Sequence, residues 1–104
     1  MNKTAGLQDR DLAIIVSVLK QHSEVVEAWL LGIRAKGNYR TGSDVDIALK
    51  GENLTTEVST NISYQLNEET SLPFKFDILN YNSISNIELK EHIDGVGILF
   101  FSGS

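Results

Sequence analysis

Cysteine is missing from this 104-residue chain. Its absence removes disulfide scaffolds, zinc ribbons, thiol nucleophiles and iron–sulfur centres at once, and it suits a reducing compartment. Proline is nearly missing too. Pro73 stands alone, and with no low-complexity run or internal repeat beside it, nothing reads as a linker. Basic residues are scarce: nine Lys and Arg face fourteen Asp and Glu, for a net charge of −5. Such a surface repels polyanions, which argues against a sequence-reading DNA binder or a protein of anionic membrane surfaces. No apolar run approaches the length of a membrane span, and residues 1–10 lack the apolar centre of a signal peptide. The expectation is one cytoplasmic domain over residues 1–104, whose 41% hydrophobic content is enough for one core.

The periodicities supply an α/β pattern. Leu12, Ile15, Val16 and Leu19 fall at helical spacing, predicting a helix over Asp9 to His22, with Asp9 and Asp11 suiting its positive end. Val25 to Leu31 is apolar on both faces apart from Glu27, as in a strand covered on two sides, and Gly32 is expected to end it. A short helical turn is expected around Ile33 to Gly37. Val45 to Lys50 alternates as a second strand. Leu54, Val58, Ile62 and Leu66 then recur every four residues in a helix opening at Asn53 or Leu54 and running to about Glu69. Lys75 to Leu79 reads as a third strand. Ser85 to Glu88 has capping-box spacing for a last helix over Asn86 to Asp94, ended by Gly95, and Ile98 to Phe101 reads as a short strand or apolar tail. The order predicts an α/β domain with a mixed sheet of about four strands flanked by helices.

The chemistry concentrates between Leu30 and Leu49. Asp44 and Asp46, two apart on a strand, project from one face, where their repulsion calls for a cation. Hard carboxylate oxygens suit Mg²⁺ or Mn²⁺. Asp77 sits within the apolar Phe76 to Leu79 run, where a carboxylate is costly without a metal or a donor. Three such carboxylates on neighbouring strands suit two metal ions about 3.5–4 Å apart, as used for in-line phosphoryl or nucleotidyl transfer. Arg34, Lys36 and Arg40 reverse the charge locally beside Gly32, where main-chain N–H groups would meet a phosphate. Taken singly, each feature has a plainer reading. An Asp-x-Asp can be a solvated edge pair, Asp77 can cap a turn or pair with Lys75, and the three bases can be a solvated face. Their order along the chain favours the site.

Gly32-Ile33, ten residues, Asp44-Val45-Asp46 and the later Asp77 resemble the minimal nucleotidyltransferases, the smallest members of the DNA polymerase beta superfamily. Arg34-Ala35-Lys36-Gly37 and Ser43 also match that family's pattern, and the resemblance extends over nearly the whole chain. It implies a polymerase beta-like fold and transfer of a nucleoside monophosphate from a triphosphate to a hydroxyl, with release of pyrophosphate. ATP is the implied substrate and Mg²⁺, as two ions, the implied cofactor. Asp44, Asp46 and Asp77 would be the catalytic metal ligands, Asp77 also aiding deprotonation of the acceptor. Gly32, Ile33, Arg34, Lys36 and Ser43 would bind the nucleotide. One departure stands out: Ile33 replaces the family's serine, so backbone amides must act in place of its hydroxyl, and Ile33→Ser is expected to tighten Mg-ATP binding.

The chain is too short to include the acceptor-binding domain of larger relatives, so a partner is expected to supply that surface. The resemblance implies a HEPN-domain protein, an all-helical ribonuclease toxin, silenced by transfer of AMP to a tyrosine by this chain as antitoxin. Two alternatives stand beside this: an inert subunit that neutralises the partner by contact alone, and a transferase with a small-molecule acceptor. Trp29 and Ile98 to Phe101 are either partner contacts or core. His22 and His92 read as solvated residues near helix ends, and Tyr39 as a base-stacking residue or a shield for the turn.

Overall fold

The computed structural model describes residues 7–34 and 43–103, with the backbone alone at 34 and 43. Its elements are α1 (Asp9–Leu19), β1 (Glu27–Arg34), β2 (Ser43–Lys50), α2 (Thr56–Glu68), β3 (Phe74–Asn80), a 3₁₀ turn (Tyr81–Ser83), α3 (Ile87–Val96) and β4 (Ile98–Ser102). The sheet order is β3-β2-β1-β4. β1 runs antiparallel to both β2 and β4, whereas β2 and β3 are parallel. A parallel pair needs a crossover, and α2 provides it. The fold is thus the mixed, four-stranded α/β architecture expected from the sequence. No helix among the described residues is long and apolar enough to cross a membrane.

The helical periods become one core. Ile15 and Leu19 of α1, Ile62 and Leu66 of α2, and Val45, Ile47 and Leu49 of β2 are all fully buried in a single cluster with Leu30 and Phe76. Each such Val, Leu, Ile or Phe contributes about 1.5–3 kcal/mol by leaving water. α3 lies on the opposite face of the sheet, anchored by the fully buried Ile93.

Element ends shift where local chemistry outbids periodicity. α1 stops at Leu19, three residues before the expected His22, because the chain turns toward β1 there; Gln21 and His22 N–H donate to the carbonyls of Val18 and Leu19. α2 is capped by Thr55, whose Oγ1 accepts from Val58 N–H at 3.2 Å. α3 is capped by Asn86, whose Oδ1 accepts from Leu89 N–H at 3.1 Å, so the cap falls one residue after Ser85. Gly95 lies inside α3. The helix ends at Gly97, where a Cβ would sit 2.7 Å from the Ile93 carbonyl oxygen and 3.3 Å from the Trp29 ring.

The main correction concerns Gly32. It does not end β1, which continues through Ile33 and Arg34 paired with β2, so no helical turn forms at those two residues. The remainder of the expected turn lies outside the described residues, as do Lys36, Tyr39 and Arg40. The register slips between Leu30, opposite Ile47, and Gly32, opposite Asp46. Leu31 is the extra residue of a β-bulge. Strict alternation from Leu30 would aim Gly32 at the core and Ile33 away from it. The bulge exchanges them: Ile33 pairs with Val45 and packs against the core, while Gly32 stands beside Asp46.

Candidate active site

Across the face opposite the main core, the sheet register builds successive rows of residues. Gly32 of β1, Asp46 of β2 and Asp77 of β3 occupy one row. Toward one end, the next row holds Arg34, Asp44 and Lys75 as register partners. Toward the other end lie Trp29, Ala48 and Leu79, an apolar row with Ala48 fully buried. Period-2 alternation places Asp44 and Asp46 on the same face, and in-register pairing places Asp77 directly beside Asp46.

These carboxylates are partly withdrawn from water. Asp44 is only 8% exposed, and Asp46 and Asp77 are half-buried. Two anions one strand spacing apart, about 4.8 Å, repel by about 3 kcal/mol at an effective dielectric near 20. A divalent cation relieves this repulsion, and the donor set is the all-oxygen one that Mg²⁺ prefers. Among the described residues, no three His, Cys, Asp or Glu side chains close into a ready-made metal cage. An open row of carboxylates still fits Mg²⁺, which binds through one or two carboxylates and completes its shell with water and substrate phosphate.

Gly32 stands beside Asp46 in this row. A Cβ built at Gly32 would meet nothing within 4 Å among the described residues. Gly51 contrasts with it, since a Cβ there would run into the Glu24 carbonyl. Glycine in a strand interior is commonly found at a bulge or where another backbone or a ligand approaches closely. The pairing of β1 with β4 stops at Leu30 opposite Ile98, so the β4 side of Gly32, Ile33 and Arg34 lies beyond that ladder.

A second cluster flanks the apolar row. Lys50 Nζ lies 3.2 Å from Asp94 Oδ1, 4.9 Å from the centre of the Trp29 ring and 4.3 Å from that of Tyr81. Tyr81 Oη donates to Asp94 at 3.1 Å, and Trp29 Nε1 donates to Glu27 Oε1 at 2.9 Å. The hydrogen bond from Lys50 holds the Asp94 carboxyl below its ordinary value, whereas desolvation first and Asp94 second raise the Tyr81 phenol. This network docks α3 and its neighbouring turn onto the sheet.

The structure therefore brings Asp44, Asp46, Asp77 and Gly32 onto one face and places Arg34 at the register position opposite Asp44. Ile33 is directed to the core. Lys36 is outside the described residues, and Ser43 is described only as backbone, at the start of β2. Lys75, weighed from sequence as a partner for Asp77, lies two residues before it on β3 and is the cross-strand register partner of Asp44. Sequence reasoning missed Asn67, whose side chain bonds the backbone of Phe76 beside Asp77. Its place near the end of an amphipathic helix carries no sequence signal of that contact. Trp29 is half-buried against Lys50, Phe101 is buried, and Leu99 is 45% exposed. His22 is half-buried and hydrogen-bonded to Gln65 Oε1 at 2.6 Å, while His92 is exposed.

Comparison with known proteins agrees with this geometry. The family model for the polymerase beta nucleotidyltransferase domain matches residues 13–104. The chain is also 27% identical over 79 residues to a Haemophilus influenzae protein described as "Probable protein adenylyltransferase MntA", an alignment covering 76% of this chain and 69% of that relative. With the family model spanning the strands that carry all three carboxylates, the chain belongs to the polymerase beta nucleotidyltransferase family.

Proposed function

We propose that this chain moves AMP from ATP to a tyrosine hydroxyl of a HEPN-domain partner protein and so silences it, acting as the antitoxin of a toxin–antitoxin pair. The observation that carries the transferase reading is the Gly32–Asp46–Asp77 row with Asp44 beside it: an acidic, metal-suited surface. Resemblance to a protein described as an adenylyltransferase of proteins supports AMP as the transferred group and a protein as the acceptor.

Asp44 and Asp46 would hold the Mg²⁺ that accompanies the triphosphate, and Asp46 with Asp77 a second ion. Bound there, the ions offset charge on the phosphates and the leaving pyrophosphate. The main chain at Gly32 and Ile33 would meet the phosphates, since a Cβ at Gly32 meets nothing within 4 Å among the described residues, and Arg34 stands at the register position opposite Asp44. An Asp77 carboxylate oxygen accepts the proton of the incoming hydroxyl. The deprotonated hydroxyl oxygen forms a bond to the α-phosphorus as the bond from that phosphorus to the α,β-bridging oxygen breaks and pyrophosphate departs. The apolar row under α3 closes one end of this surface to water.

The test is intact-mass spectrometry of the genomically adjacent protein after incubation with this chain, ATP and Mg²⁺. A gain of one or more AMP units, absent with D44N, is the expected result. A stable complex with no mass change would overturn transfer in favour of an inert binding subunit.

A further inference from the structure

One edge of the sheet is finished by a side chain, next to an acid of the site. β3 is an edge strand, paired with β2 alone. Backbone groups of successive strand residues point alternately to the two sides, so those of Phe76 face outward when those of Asp77 face β2. Outward groups on an edge ordinarily bond water or attract another chain. Here Asn67 of α2 occupies them. Its Oδ1 accepts from Phe76 N–H at 2.8 Å, and its Nδ2 donates to the Phe76 carbonyl at 3.1 Å. The same Nδ2 donates to the Ser63 carbonyl at 3.0 Å, tying the amide to its own helix. This donor and acceptor pattern fixes the orientation of the amide, because a backbone N–H only donates and a carbonyl only accepts.

The Phe76 carbonyl and the Asp77 N–H belong to one rigid peptide plane. Asn67 holds one side of that plane, and the β2 ladder holds the other. The Phe76 side chain, 2% exposed, locks into the core, so the peptide leading into Asp77 is fixed at three points. We propose that Asn67 is a positioning residue for Asp77, a side-chain substitute for a fifth strand that sets the carboxylate against Asp46. The consequence for catalysis rests on the transferase reading above; the consequence for the geometry of β3 does not.

N67A removes both bonds while placing a good helix former in α2, so the helix itself is not weakened. The control is I62V, which trims a fully buried residue of the same helix without touching the strand edge. Two readouts are taken at matched fractions of folded protein: amide hydrogen exchange at Asp77, and the kinetics of AMP transfer. N67A is expected to speed Asp77 exchange about tenfold relative to I62V, from loss of the two side-chain hydrogen bonds that hold the Phe76 backbone. It is expected to lower kcat about tenfold while leaving KM for ATP unchanged, because Asp44 and Asp46 still hold the nucleotide. Equal exchange in the two variants overturns the positional role. Faster exchange with a kcat loss no larger than that of I62V overturns the catalytic consequence. Absence of transfer in the unaltered protein would sink the transferase reading, and the exchange comparison would still decide the positional claim.

Discussion

The two faces of the sheet carry similar strands and obey different rules. Toward α1 and α2, β2 presents Val45, Ile47 and Leu49, all fully buried, in contact with apolar residues of both helices. Toward α3, the same strand presents Asp44, Asp46, Ala48 and Lys50, and only Ala48 is fully buried. The first face is what hydrophobic burial selects. The second holds a buried carboxylate, neighbouring acids and a glycine, a pattern that hydrophobic burial alone does not select. Features that cost stability on one face while the other supplies it are the physical mark of a site.

The sharpest way to break this comparison is to neutralise one acid. D44N is expected to reduce AMP transfer by at least about 10³-fold, since charge stabilisation by bound metal carries the reaction. The melting temperature should hold or rise, because one anion leaves a crowded row. Intact-mass kinetics beside a thermal melt reads both. Transfer that survives, or a fold that does not, would move Asp44 to the structural side.

The converse substitution lies on the covered face. I47A should cost about 2–5 kcal/mol in urea unfolding, the range for deleting most of a buried isoleucine. Transfer per folded molecule should stay unchanged, because Ile47 points away from the acid row. A loss of kcat in the fully folded variant would show that the two faces are coupled through β2.

Gly32 lies between these extremes. G32V should strengthen the strand by about 0.5–1 kcal/mol, since valine favours extended backbone and a Cβ at this position meets nothing within 4 Å among the described residues. The same side chain would fill the space beside Asp46, and Mg-ATP binding measured by calorimetry should weaken at least about tenfold. A stabilised protein with unchanged affinity would mean that no ligand uses that space.

Ile33 shows how much of the site was legible in the sequence. The acids were readable because Asp-x-Asp on an alternating strand places both carboxylates on one face whatever the partners are. The helices were readable from their stripes, with ends off by a few residues where Thr55 and Asn86 cap. The bulge at Leu31 was not readable, because it alters no composition and is fixed by pairing with β2. That single extra residue reverses what the spacing implies for Gly32 and Ile33. From sequence, I33S should restore a phosphate-binding hydroxyl. With Ile33 packed against the core, the structure instead calls for a loss of about 1–2 kcal/mol and an unchanged affinity for Mg-ATP. Tighter binding would show that the residue turns outward when nucleotide arrives. Asn67 was illegible for a related reason: its partners are backbone groups of a distant strand, which leave no mark on side-chain pattern.

The smallest effect belongs to the network that docks α3. The Lys50 hydrogen bond lowers the Asp94 carboxyl below its ordinary value, with the Tyr81 hydrogen bond adding to the shift. A carboxyl whose folded-state pKa is depressed contributes stability above its unfolded value, and that contribution fades as pH falls through the lower folded value. Tyr81 has the opposite sign. Its phenol is raised above 10.0, by desolvation first and then by Asp94, so its contribution is complete below pH 10 and fades as pH rises through the folded value. D94N should therefore melt slightly below the unaltered protein at neutral pH, with the gap closing below about pH 4 and the alkaline loss from Tyr81 becoming shallower. Because the Trp29–Ala48–Leu79 row separates this network from the acids, transfer should not change. A gap that persists at low pH would remove the Lys50–Asp94 charge pair as its cause, and a fall in kcat would show that the docking of α3 reaches across the apolar row to the acids.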